Sequence, residues 1–174
     1  MKNKSDLRLL AKSIRKNLDI SSISEQIVSN IRELTFYKKS KHVMIFYPVG
    51  SEISLLELLE DNKNFYLPRV KNEELEVCPY QKGDSLCVSS LKINEPICDS
   101  VDKQILDIVF IPALMCDNGY CRLGYGGGYY DRFLKNIDAK KFVVIPEELL
   151  IENLPVEEND VKCDGYITQK KASF

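Results

Sequence analysis

Short apolar runs of strand type alternate along this chain with segments of helical periodicity. The runs HVMIFYPV and DIVFIPAL are strand-like, and the second contains the most apolar stretch, residues 108–111, which we expect Pro112 to end. Buried strands separated by helices form parallel sheets that are covered on both faces. The alternation therefore predicts an α/β fold with a mostly parallel central sheet.

Periodicity and turn residues also predict the individual elements. Leu7, Ala11 and Ile14 share one helical face, and a second helix is expected over SSISEQIVSNIRELTFYKKS with an N-cap among residues 21–24. Further helices are predicted after Ser51 or Ser54, at GYYDRFLKN and at EELLIENL, and further strands at NFYLPRV, ELEVCPY, KKFVVIP and DGYIT. The polar segment 81–102 is interpreted as a loop.

Length and composition limit the class of protein. The 174 residues favour one domain, residues 1–174, with its own core. The net charge of -2 argues against a general nucleic-acid binder, and no apolar run approaches the roughly 20 residues that span a bilayer, so we expect a cytoplasmic protein. The six cysteines form no Cys-x-x-Cys pair and His42 is the single histidine, which argues against a zinc or histidine-based metal site.

The stretch RLGYGGGYYDRFL, residues 122–134, follows the most apolar strand and opens a predicted helix. Glycine lets an anion approach the backbone without a Cβ in the way, and ligands of open α/β sheets bind beyond the carboxyl ends of the strands. The stretch matches neither the P-loop nor the dinucleotide pattern G-x-G-x-x-G, because Tyr129 occupies the third glycine position of the latter. By themselves the glycines fit an anion site and a tight turn with close packing equally well.

The neighbours of the glycines favour the anion site. Arg122 and Arg132 are cations suited to phosphate, and Tyr129 and Tyr130 offer rings and hydroxyls. Asp131 is an oxygen ligand of the kind Mg²⁺ takes beside nucleotide phosphates. Each residue alone fits a surface role, but no one surface role explains them all.

A basic stripe runs along the first predicted helix. Lys4, Arg8, Lys12 and Arg15 follow one another at steps of four, four and three residues, which places them on one side of the helix. The stripe fits either a solvated cationic face or a row of cations on the rim of a pocket.

Several motifs together resemble the 5-formyltetrahydrofolate cyclo-ligase family. They are the glycine stretch, KSDLR at residues 4–8, FYPVGSEIS at 46–54, YLPRV at 66–70 and LPVEENDVKCDGYIT at 154–168. The order agrees with the family and the resemblance spans nearly the whole chain. It implies a three-layer α/β/α fold like that of sugar-phosphate isomerases and CoA transferases.

The resemblance also implies a reaction. ATP would drive closure of 5-formyltetrahydrofolate to 5,10-methenyltetrahydrofolate through a phosphorylated formyl group, with release of ADP and phosphate. The expected partners are ATP and a reduced folate, with Mg²⁺ as cofactor, no nucleic acid and no membrane, and a monomer suffices.

Site residues follow from the matching motifs. For ATP, the resemblance implies Lys4, Ser5, Asp6, Leu7 and Arg8, with Lys12 and Arg15 as weaker candidates, and the loop Arg122, Leu123, Gly124, Tyr125, Gly126, Gly127, Gly128, Tyr129 and Tyr130. For the folate, it implies Tyr47, Glu52 and residues 125–129, with Glu52 at the amino-pyrimidine edge. Tyr129, Arg122 and Lys4 would be catalytic, and Asp131 and Asp160 would bind the metal.

Other interpretations stay open. Glu52 fits a helix cap, Asp160 a turn, Asp131 a helix-dipole partner, and Arg69 either a folate cation or a surface residue. Tyr125 and Pro146 depart from residues common in the family. A non-catalytic ATP-binding regulatory module would share the motifs but release no phosphate.

Overall fold

The structure is a computed structural model and describes residues 3–174. The helices are α1 (Lys4–Arg15), α2 (Ile20–Glu33), α3 (Thr35–Lys39) and α4 (Tyr129–Leu134). The strands are β1 (His42–Met44), β2 (Asn64–Lys71), β3 (Glu74–Tyr80), β4 (Leu86–Val88), β5 (Asn94–Pro96), β6 (Ile108–Pro112), β7 (Met115–Asp117), β8 (Arg122–Leu123), β9 (Lys140–Val144), β10 (Leu150–Ile151), β11 (Gly165–Ile167) and β12 (Ala172–Ser173). Short 3-10 helices cover Leu56–Glu60, Lys103–Ile105 and Glu147–Leu149.

The central sheet confirms the predicted α/β class. Within residues 3–174 it has seven strands in the order β12-β11-β9-β6-β1-β2-β3. The pairs among β11, β9, β6, β1 and β2 are parallel, and β3 and β12 are antiparallel edge strands. Parallel strands need crossover connections, which the helices and loops between them provide.

The sheet is covered on both faces. Successive strand residues point to opposite faces, so Phe110 packs with α2 and α3 in one core cluster while Ile111 packs with α1 and α4 in the other. A three-stranded sheet, β10-β7-β8, shares the second layer with α1 and α4. This small sheet was not predicted, because β8 and β10 have two residues each and carry no readable alternation.

Two predicted helices are wrong as helices. The segment after Ser51 forms only the 3-10 helix Leu56–Glu60, and neither Ser51 nor Ser54 is its N-cap, because that position belongs to Leu55. The N–H of Ser54 instead donates to Ser24 Oγ at 3.0 Å. EELLIENL forms the 3-10 helix Glu147–Leu149 and then β10. The cap of α2 is Asp19, whose carboxylate accepts from Ser22 N–H at 3.1 Å, and not one of the serines at 21–24.

The segment predicted as a loop, 81–102, contains the hairpin β4–β5. It lies against β2, where Glu95 Oε1 accepts from Val70 N–H at 3.1 Å. Arg69 donates to Glu76 and to the carbonyls of Pro96 and Cys98, so its guanidinium fastens the hairpin to the sheet.

The carboxyl ends of the parallel strands lie at one edge of the sheet. β1 leads there into the loop of residues 45–55, and β6 leads through β7 and β8 into the glycine stretch and α4. Both predicted ligand loops are therefore brought to the same edge. Across residues 3–174 we find no helix with the length and apolar character needed to span a bilayer.

Candidate active site

A cavity of about 1140 Å³ opens at this edge of the sheet. Its wall combines the cations of α1, the loop after β1, the glycine stretch with α4, the hairpin side of β2, and residues 157–160. The predicted site residues that line it are Lys4, Arg8, Tyr47, Glu52, Arg122, Leu123, Gly124, Tyr125, Gly126, Gly127, Gly128, Tyr129, Tyr130, Asp131 and Asp160. The volume exceeds that of a usual pocket for one drug-sized molecule, roughly 300–1,000 Å³.

Backbone conformation and close contacts explain most of the glycines. Gly126 and Gly128 have φ of 108° and 67°, which side chains rarely adopt. A Cβ on Gly127 would lie 2.5 Å from the ring of Tyr129, so this glycine lets the ring lie across the loop. A Cβ on Gly124 would meet no atom closer than Arg122 Nη1 at 4.0 Å.

The basic stripe of α1 divides between different surroundings. Arg8 Nε donates to Gly124 O at 2.9 Å and Lys4 lines the cavity, whereas Lys12 is exposed outside it. Arg15 is buried and donates to backbone carbonyls. Of the remaining KSDLR residues, Ser5 and Asp6 are exposed and Leu7 packs in the core, and these three do not line the cavity.

Arg122 and Asp131 form an ion pair in the floor of the cavity. Arg122 Nη2 lies 2.8 Å from Asp131 Oδ1, and the arginine side chain is 3% exposed. Asp131 Oδ1 also accepts from Val161 N–H at 3.0 Å. Arg122 Nε is buried and has no hydrogen-bond partner within residues 3–174, which leaves a donor in the wall of the site.

Lys4 and Asp160 form a second ion pair, with 2.7 Å between Nζ and Oδ2. Burial acts to raise the pKa of Asp160, but hydrogen bonds from Lys4 and from Glu157 N–H, together with the charge of Arg122, hold it below its usual value. Burial likewise acts to lower the pKa of Lys4, yet the carboxylates of Asp160 and Glu157 raise it overall. Both groups are charged at neutral pH.

The two predicted metal ligands fit a Mg²⁺ ion that arrives with a nucleotide. The hydrogen bonds described above use Oδ1 of Asp131 and Oδ2 of Asp160, so each carboxylate keeps a second oxygen. In the described part of the chain, no group of three or more His, Cys, Asp or Glu side chains is placed to hold a metal. Mg²⁺ commonly takes one or two carboxylates and completes its shell with phosphates and water.

Glu52, in the loop after β1, lines the same cavity as these ion pairs. It closes a turn, because Val49 N–H donates to Glu52 Oε2 at 2.8 Å and Glu52 N–H donates to Val49 O at 3.2 Å. Burial raises the pKa of Glu52 above its usual value, against the opposing effects of Val49 N–H, Tyr125 and Arg15. Partial burial and the charge of the Glu52 carboxylate raise the pKa values of Tyr125 and Tyr130, so both hydroxyls stay protonated.

Tyr129 lies at the start of α4. The Arg132 guanidinium lies 5.1 Å from its ring centre, a cation–π contact that holds the ring over Gly127. Tyr129, the ion-paired residues, Glu52 and Tyr47 all line the same cavity.

One part of the cavity wall was not predicted from the sequence. It consists of Pro68 and Val70 of β2, Leu75 of β3, and the hairpin residues Leu91, Ile93 and Glu95. The strand residues carried a signal, since β2 was predicted and alternate strand positions share a face. The hairpin residues carried none, because their segment reads as polar loop.

Comparison with known proteins gives consistent matches. The chain is 31% identical to the 5-formyltetrahydrofolate cyclo-ligase of Escherichia coli over 142 residues, which cover 74% of this chain and 78% of that protein. It is 28% identical to the corresponding protein of Haemophilus influenzae over 171 residues, which cover 89% and 91%.

Solved structures agree with these matches. The 5,10-methenyltetrahydrofolate synthetase of Aquifex aeolicus superposes with a TM-score of 0.86 at 32% identity, over 97% of this chain and 91% of that one. A Mycoplasma pneumoniae synthetase, at 19% identity and a TM-score of 0.79 over 97% and 99%, shares the fold. The model of the 5-formyltetrahydrofolate cyclo-ligase family matches residues 2–169. Because that model covers nearly the whole chain and the Escherichia coli relative is more than 30% identical over about three quarters of it, the chain belongs to the 5-formyltetrahydrofolate cyclo-ligase family.

Proposed function

We propose that this protein uses ATP to convert 5-formyltetrahydrofolate into 5,10-methenyltetrahydrofolate, ADP and phosphate. One observation carries the assignment of the site: a single cavity is lined both by the cations Lys4, Arg8 and Arg122 and by Glu52 and Tyr47. The glycine loop forms part of the same wall, so a phosphoryl group could pass from one substrate to the other without leaving the cavity.

The reaction needs the formyl oxygen to become a leaving group. That oxygen attacks the γ-phosphorus of ATP and the bond to ADP breaks, which leaves a phosphorylated iminium. N10 of the folate then attacks the formyl carbon, and the carbon–oxygen bond breaks with its electrons leaving on phosphate. N10 loses its proton and the methenyl bridge is complete.

The chain's own residues orient both substrates and stabilise phosphoryl charge. Lys4 and Arg8 bind the ATP phosphates, and Arg122 supplies positive charge at the loop. Tyr129 lies beside the reacting groups, while Glu52 accepts hydrogen bonds from the amino-pyrimidine edge of the folate. Asp131 and Asp160 would hold a Mg²⁺ ion, which when bound neutralises developing phosphate charge.

Both ends of the cavity come from one chain, which supports a monomer built from a single domain over residues 1–174. We further propose that it acts in the cytoplasm on small molecules. Among the residues predicted for ATP, Ser5, Asp6 and Leu7 support the site through the backbone and core of α1, since they lie outside the cavity wall.

The test mixes purified protein with 5-formyltetrahydrofolate, Mg²⁺ and ATP and follows the near-ultraviolet absorbance of the methenyl product. Product that requires ATP, and that Asp131→Asn and Glu52→Gln reduce, would support the proposal. If ATP binds, as judged by a thermal shift, but no product forms, the protein is instead the non-catalytic ATP-binding module.

A further inference from the structure

Arg15 is a buried arginine that the reaction does not use directly. It is 4% exposed, lies outside the wall of the cavity, and donates from Nη1 to Ser51 O at 2.7 Å and from Nη2 to Ala113 O. Its Nε has no hydrogen-bond partner in the described part of the chain. Burying a guanidinium is costly unless charge and hydrogen bonds compensate for it, so its surroundings need an explanation.

The carbonyl that Arg15 holds belongs to the turn that carries Glu52. The inside of this turn is closed by the two hydrogen bonds between Val49 and Glu52, and Gly50 has a φ of 59° at its bend. Arg15 grips the outside of the turn at Ser51, the residue before Glu52. Through Ala113 it also fixes the turn relative to the segment that follows β6.

The charge of Arg15 acts on the same carboxylate. The charged and titratable groups around Glu52 come from several elements: Arg15 from α1, Tyr125 from the glycine loop, Tyr130 from α4, and Glu25 and Glu57, which line a second, small cavity together with Glu52. The two tyrosines are neutral at neutral pH because partial burial and the charge of Glu52 raise their pKa values. Burial acts to raise the pKa of Glu52, and the hydrogen bonds from Val49 N–H and Tyr125, together with the charge of Arg15, act against it.

We propose that Arg15 is a positioning residue for Glu52: it fixes the turn of residues 49–52 that presents the Glu52 carboxylate to the folate. The inference rests on the proposed function, which places the amino-pyrimidine edge of the folate at Glu52. The cations of the basic stripe then have different roles: Lys4 and Arg8 bind the nucleotide, whereas Arg15 positions a residue that binds the folate.

The experiment compares Arg15→Gln, Arg15→Lys and Lys16→Gln, where Lys16 is an exposed cation next in sequence and serves as a matched control. KM for folate, KM for ATP and the pH profile of kcat/KM for folate are measured for each, with urea unfolding to verify folding. We expect Arg15→Gln to raise the folate KM about tenfold, the loss of roughly one charged hydrogen bond. The ATP KM should change less than about twofold.

The pH profile separates a charge effect from a packing effect. Without the charge of Arg15 the carboxylate of Glu52 should take up its proton at higher pH. The acidic limb of the kcat/KM profile should therefore move to higher pH in Arg15→Gln. It should stay in place in Arg15→Lys, which keeps the charge. In a Glu52→Gln background, Arg15→Gln should add less than about a twofold change in folate KM.

Equal rises of both KM values with an unmoved acidic limb, or additive effects in the double variant, would overturn the inference. If Arg15→Gln does not fold, Arg15→Lys decides: a raised folate KM with an unchanged ATP KM supports the proposal, and an unchanged folate KM refutes it. Failure of the proposed function would look different, since wild-type protein would then form no product. In that case the change in calorimetric affinity for 5-formyltetrahydrofolate between wild type and the variants still tests the role of Arg15.

Discussion

Lys4 and Asp160 are 156 positions apart in the chain, and their charged groups meet at 2.7 Å. The pair joins the first turn of α1 to the segment before β11, and both side chains are mostly buried, with 17% and 23% exposed. It brings a proposed phosphate ligand and a proposed metal ligand into direct contact.

Replacing Asp160 should show this pair in the pH dependence of stability. The pKa of Asp160 is held below its ordinary value, so its contribution is present above the ordinary aspartate pKa and disappears as pH falls through the lowered pKa. Asp160→Asn should lower the free energy of unfolding by about 1 kcal/mol at neutral pH and by almost nothing near pH 2. Urea denaturation across this range measures it. Glu157→Gln is the control, because Glu157 is 72% exposed and should contribute little.

Glu52→Gln should weaken folate binding and, at neutral pH, stabilise the folded protein. Burial raises the pKa of Glu52, so the ionised form is disfavoured in the folded state, and its cost is absent below the ordinary glutamate pKa and grows as pH rises. The variant should unfold at higher urea than wild type at neutral pH and equally at about pH 3, while the folate KM rises about tenfold or more. The control is Glu152→Gln, a change at an exposed glutamate outside the cavities that Glu52 lines, and it should change neither quantity. A Glu52→Gln variant that is less stable at neutral pH would contradict the reasoning.

The stability of Asp131 variants should depend on whether they keep a hydrogen-bond acceptor for Arg122. Asp131→Ala leaves a guanidinium that is 3% exposed without its carboxylate partner, which should cost about 3 kcal/mol. Asp131→Asn keeps an oxygen for Arg122 and for Val161 N–H and should cost about 1 kcal/mol. Equal losses in urea unfolding would mean that the amide oxygen of Asn does not compensate for the lost carboxylate charge. Both variants should lose turnover, since the proposed metal ligand is gone.

Gly127→Ala should reduce turnover with little change in stability. The new Cβ would stand 2.5 Å from the Tyr129 ring, which must then leave its place over the loop, while the backbone of residue 127 needs no left-handed conformation. We expect the free energy of unfolding to change by less than about 1 kcal/mol and kcat to fall by about tenfold or more. Gly124→Ala, whose Cβ meets nothing closer than 4.0 Å, should leave Tyr129 in place and reduce kcat less. Similar kcat values for the two variants would remove Tyr129 from the reaction.

Local sequence patterns predicted the elements whose stability is local or whose apolar pattern is strong. Helix α1 was predicted correctly because Leu7 and Ala11 repeat at helical spacing, and both are buried as expected. The helix expected after Ser51 failed because hydrogen bonds from residues far away in the chain hold that backbone: Arg15 binds Ser51 O and Ser24 binds Ser54 N–H. The hairpin β4–β5 was missed because its segment is polar and its position depends on hydrogen bonds to Arg69 and Val70 of β2.

The alternation of strands and helices, the glycine loop and the chemical types at the site can be read from the sequence alone. The spacing also places the cations of the basic stripe on one side of α1, but their partners depend on how distant segments pack. Lys4 meets Asp160, Arg8 meets Gly124 and Arg15 meets Ser51, at separations of 156, 116 and 36 residues. A helix fixes the direction of its own side chains by local geometry, but the packing of distant segments decides whether each cation faces a substrate cavity or a buried turn.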